Sequence, residues 1–233
     1  MKINMFLLVT MLTVASTSPA GTTEERSQCK AADSACIRFE TLARTEQFAQ
    51  IIKELDPAAQ YSADARQFIG QAYLALASAE TNTPEQEEAY CRKALEYGFS
   101  QAYMGLYFIY AQQDEEKALG FLRQYIMTKP GDSVPYVLLG ESELEKKNYK
   151  KADFYLREAQ RVARAHSARV DWMLFQINYI LGNYAFAGEM LDSALANGKF
   201  DREVKKLTRD VRFQDIESRP EFKKRLEAVR AQS

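Results

Sequence analysis

Histidine, cysteine and the carboxylates are the side chains through which this sequence could do chemistry, and each is too few or wrongly spaced for it. His166 is the only histidine. No nucleophile pattern stands near Arg164-Ala-His166-Ser-Ala168, so a polar contact between helices explains it better than a general base. A single histidine excludes a His-Glu-x-x-His zinc site, and Cys29 with Cys36 lacks the second pair a structural zinc takes. No glycine-rich phosphate loop is present. Glu141, Glu143 and Glu145 beside Lys146 and Lys147 are spaced as a solvated helix face. We therefore expect no catalytic residue, no metal and no cofactor. A hydrolase of the cell envelope built from carboxylates alone stays as a third alternative.

Cysteine usage and the first residues give an address. Lys2, an apolar run from Ile3 to Ala15, and the small residues Ser18-Pro19-Ala20 read as a secretory signal over residues 1–20, cut after Ala20. The run is shorter than the ~20 residues a bilayer span needs, and no later stretch is long and apolar enough. The mature chain is expected to be exported, to a bacterial periplasm or beyond, with no integral membrane segment. In such a compartment Cys29 and Cys36 form the natural disulfide, closing a short loop and leaving Cys91 over; a Cys36–Cys91 bond stays open. Cys91 falls at helical spacing in Tyr90-Cys91-Arg92-Lys93-Ala94-Leu95, the setting of a buried, inert thiol. With 31 Lys and Arg against 32 Asp and Glu, there is no global nucleic-acid footprint.

What positions these side chains is a repeat. Ala118, Ala152 and Ala187 stand 34 and 35 residues apart. Leu122, Leu156 and Leu191 follow four residues behind each, and Tyr125, Ala159 and Ala194 follow seven behind. A register held at a period of ~34 residues marks stacked helical hairpins. Tyr136, Leu139-Gly140, Ala152 and Ala159 occupy the aromatic, Leu-Gly and small-residue slots of a unit that resembles the tetratricopeptide repeat. Small residues there let antiparallel helices approach and interlock. Glu143 stands where an aromatic is usual, and Arg164 where a closing proline is usual.

Gly105, Ala118, Leu122 and Pro130 carry the preceding unit; Trp172, Gly182-Asn183-Tyr184, Ala187, Leu191 and Ala194 carry the following one, with Gly198 as a stop. Upstream, hairpins are expected over Ser34–Leu55 and Ala65–Tyr97, and Ala94 to Ala102, with Gly98 in its turn, is similar to the Sel-one-like repeat. Beyond the repeats, Leu207 to Ile216 and Pro220-Glu-Phe222 resemble the closing segments of bacterial tetratricopeptide arrays. There Phe213, Ile216, Phe222 and Leu226 would cover the last hairpin.

The resemblance implies an all-α, right-handed α-α superhelix of about five hairpins with a C-terminal helical cap. Its divisions would be a signal peptide (1–20), a repeat domain (21–200) and capping helices (201–233). It also implies a concave groove lined by first helices, which by position would receive Gln67, Gln71, Val137, Glu141, Leu144, Trp172, Gln176 and Tyr179. Tyr103, Tyr107 and Tyr110 share one helix face by their spacing; a one-residue uncertainty in register leaves open whether that face is groove or core. The function expected is a scaffold or adaptor that binds a protein or peptide, as a monomer or weak homo-oligomer and without nucleic acid. The alternative is an enzyme-associated or inhibitory module that binds through its outer face.

Overall fold

Helix starts follow capping chemistry. Asp33 accepts from the Cys36 amide at 2.8 Å, Ser62 from Ala65 at 3.1 Å and Asp114 from Lys117 at 3.0 Å. Thr83 and Gln86 form a reciprocal capping box ahead of Pro84. Helix stops repeat one motif. Glu46, Lys147 and Gly182 take left-handed φ of 56°, 60° and 80°. The amides of Gln47, Asn148 and Asn183 then each reach back five residues, to Leu42, Glu143 and Asn178, at 2.8 Å. Gly98, at φ 82°, makes the same turn between two hairpins, as its place in the Sel-one-like stretch implies.

The computed structural model describes residues 29–57, 59–197, 200–207 and 209–231; the expected signal peptide and Gly198 lie outside the described residues. The chain divides into two compact units, one ending at Lys129 and one beginning at Pro130. In the first, α1 (Ser34–Arg44), α2 (Phe48–Lys53), α3 (Ala63–Ala77), α4 (Pro84–Glu96), α5 (Ala102–Tyr110) and α6 (Glu115–Thr128) pair as three hairpins. In the second, α7 (Val134–Glu145) pairs with α8 (Tyr149–Ala163), and α9 (Ala168–Ile180) with α10 (Tyr184–Asn197). Then come α11 (Asp201–Leu207), 3₁₀ turns at Val211–Phe213 and Ile216–Ser218, and α12 (Pro220–Ala231). No strand occurs among the described residues.

The repeated small and aliphatic positions are the core. Ala118, Ala152 and Ala187 are fully buried, as are Leu122, Leu156 and Leu191. A Cβ on Gly140 would lie 2.8 Å from Leu156 Cγ, so α7 and α8 can touch only because that atom is missing. At Gly105 a Cβ would meet Cys91 Sγ at 2.7 Å. The thiol fills the space the glycine leaves, and burial pushes its pKa up to about 12. Cys29 and Cys36 are bonded, with 5.6 Å between their Cα atoms, and Cys91 is free and buried.

In the second unit Phe213, Ile216, Phe222 and Leu226 join the core built by α9 and α10. Arg225 clamps Asp192 of α10 through two hydrogen bonds of 2.7 Å.

Candidate functional site

Val134, Val137 and Glu141 follow one another at intervals of three and four along α7, which sets them on one side of the helix. The last turns of α8 bring Ala159, Gln160 and Ala163 to the same place, and Arg169 and Val170 open α9 there. These residues enclose a cleft of about 320 Å³ within the second unit.

Its charge is concentrated at Glu141. Burial is the largest influence on this carboxyl and raises its pKa; Arg169 opposes the shift and the neighbouring charge of Glu145 adds to it. Arg169 Nη2 lies 2.6 Å from Glu141 Oε1 and is the ion-pair partner of this carboxylate.

A buried polar network fixes the far wall. Asp171 is fully buried and accepts from Gln160 of α8 and, at 2.5 Å, from the Ser193 hydroxyl of α10. His166 Nδ1 lies 3.1 Å from the same carboxylate. Ser193, His166 and Asp171 are not ordered as an acyl-transfer relay, in which the histidine stands between serine and acid; here the Ser193 hydroxyl bonds Asp171 directly. The effect of the network is mechanical: it locks α8, α9, α10 and the turn at Arg164, whose φ is 51°, into one geometry. Among the described residues no three His, Cys, Asp or Glu are placed to hold a metal.

The residues picked out by sequence fall into three groups. Val137 and Glu141 meet in the cleft. Leu144 and Gln176 are half-buried nearby in the chain fold, Leu144 packing on the core. Trp172, stacked on Phe200 at 4.9 Å, and Tyr179 are buried, and their rings are spent inside the second unit. In the first unit Gln67 is exposed and Gln71 half-buried. Tyr103 and Tyr110 lean on Phe121 of α6, the Tyr110 hydroxyl donates to Glu88, and Tyr107 packs edge-on to Phe108. Gln160, Ala163 and Arg169 escape sequence reasoning: the first two lie on a second helix, outside the first-helix rule, and Arg169 follows a left-handed turn at a non-glycine residue, which periodicity does not register.

Compared by sequence, the chain matches no family model and no curated protein. Compared by structure, it is similar to PilF of Pseudomonas aeruginosa, a tetratricopeptide-repeat protein. The TM-score is 0.52 and the identity 20%, over 82% of this chain and 87% of that one. The fold is tetratricopeptide-like. Identity this low speaks to architecture alone. No described helix is long and apolar enough to cross a membrane.

Proposed function

We propose that the chain is an exported scaffold that binds a segment of a partner protein along the first helices of its hairpins. The observation that carries this reading is the cleft on α7 and α9. Aliphatic side chains there surround a half-buried carboxylate whose partner is a largely exposed arginine, a combination suited to holding a peptide. The Cys29–Cys36 bond supports export to an oxidising compartment. On this reading residues 1–20 are a signal peptide, 21–200 the repeat region and 201–233 its cap. The scaffold needs no catalytic step.

One observation favours a second reading, in which the outer surface binds: Phe154 of α8 is 59% exposed, beside the half-buried Tyr155. Affinity capture from an envelope extract separates the two, using the chain from Gly21 with Val137→Arg and Phe154→Ala versions of unchanged melting. A partner kept by the parent and by Phe154→Ala but lost by Val137→Arg is the expected result. Loss by Phe154→Ala alone moves binding to the outer face.

A further inference from the structure

We propose that the α7–α9 cleft selects a partner segment carrying an aliphatic side chain next to a lysine or arginine, with Glu141 as the residue that sets the preference. The inference rests on the scaffold reading and adds the chemistry of what is bound. A cleft of about 320 Å³ sits at the small end of the ~300–1,000 Å³ range of ligand pockets, the scale of one or two side chains. Val137, Leu138 and Val170 make its apolar lining, which an aliphatic side chain satisfies.

The basic neighbour follows from the state of Glu141. Its Oε1 is buried and is held by Arg169 Nη2 at 2.6 Å. Among the described residues its counter-ion is Arg169, whose side chain is 72% exposed, and a partner so far out in water is exchanged at little cost. Glu145, one turn along α7, adds a second negative charge to the same face. An incoming ammonium or guanidinium takes the place of Arg169, which swings into water, and sets a positive charge beside both carboxylates. An acidic segment meets two carboxylates instead. A second hollow of this unit, basic and about 480 Å³ around Arg157, Arg161 and His166, is the weaker site. Arg157 is already committed to Asp153 and Phe186, and Arg161 to Glu158.

The test is selection of random nine-residue peptides displayed on phage against the intact mature chain, followed by affinity measurement of enriched peptides on variants of equal melting. Enriched sequences should pair Leu, Ile, Val or Met with an adjacent Lys or Arg. They should bind Glu141→Gln about tenfold more weakly, since a charged hydrogen bond is lost. Arg169→Ala should bind them up to about fivefold more tightly, because a competing partner is gone; a merely structural role for Glu141 does not give that gain. Enriched peptides without a basic preference, or unchanged binding to Glu141→Gln, overturn the selection rule and leave the scaffold reading standing. If nothing enriches, or if Val137→Arg binds as the parent does, the cleft is not the site and both fall.

Discussion

The first hairpin of unit 1 and the last hairpin of unit 2 face the same difficulty, an apolar face that no further repeat among the described residues covers, and they resolve it in different materials. The hairpin of α1 and α2 is small: Phe39, Leu42 and Ile51 are its large buried side chains. A covalent bond, Cys29–Cys36, and a surface ion pair, Arg38 with Glu54 at 2.8 Å, complete it. The hairpin of α9 and α10 uses mass. Trp172, Phe175, Tyr179 and Tyr184 meet Phe213 and Phe222 from the cap in a run of ring contacts between 4.9 and 6.4 Å. A hairpin whose second helix has six residues buries little area, so a staple on its first helix helps it; an aromatic cap has area to spare.

Removing mass should therefore hurt more than removing the staple. Phe222→Ala takes away a fully buried ring and should cost about 3–5 kcal/mol. Trp172, the only tryptophan, lies in this unit and reports its unfolding by fluorescence in urea. An unchanged midpoint would mean that the cap is an appendage. Gly140→Leu, which drives a side chain into Leu156 where even a Cβ comes within 2.8 Å, should cost about 3 kcal/mol or more. Its control is Gly120→Ala, also within a helix but with nothing inside 4 Å, which should gain up to about 1 kcal/mol. Equal effects at the two glycines would deny that α7 and α8 are in close approach.

Replacing both Cys29 and Cys36 by alanine should cost about 2 kcal/mol, the value for so short a loop, with a little more for the cavity at Cys36. That loss should appear in the circular-dichroism melt and not in the urea midpoint read by Trp172. A loss larger than that of Phe222→Ala would reverse the comparison.

The two ends were unequally legible in the sequence for the same physical reason. Spacing reports burial along a regular helix, so Ala118, Ala152 and Ala187 with their leucines gave the hairpins and their register directly. Cysteines a short loop apart in a chain read as exported announced the staple. Phe213, Ile216, Phe222 and Leu226 could be assigned to a cap because apolar residues after the last repeat need a face to cover. The contacts within the cap were not legible, since they depend on two 3₁₀ turns rather than on a period. The cleft was half legible: α7 supplied Val137 and Glu141 by position, but Gln160 comes from a second helix, and the turn at Arg164 that delivers Arg169 has no glycine to mark it. Trp172 shows the converse. Its residue type is common at binding surfaces, but a neighbouring Phe200 claimed the ring.

The smallest effect distinguishes the two closures by pH. Tyr179 is 3% exposed, donates its hydroxyl to Asp215 and accepts from Arg219 Nε at 3.2 Å. Burial, helped by the Asp215 bond, raises its pKa from 10.0 to about 12. The phenol is thus harder to ionise in the folded state than in the unfolded one. Its contribution is complete below pH 10 and is lost as pH rises towards about 12. Glu54 has the opposite sign: hydrogen bonding from Arg38 lowers it to about 2, so its contribution is present above the ordinary carboxylate range and is lost as pH falls through that value. Tyr179→Phe should cost about 1 kcal/mol at neutral pH and flatten the decline in the Trp172-reported midpoint above pH 10, leaving the acid limb as it was. An alkaline decline of the same steepness in Tyr179→Phe would place the titrating group elsewhere and make the aromatic closure as indifferent to pH as the disulfide.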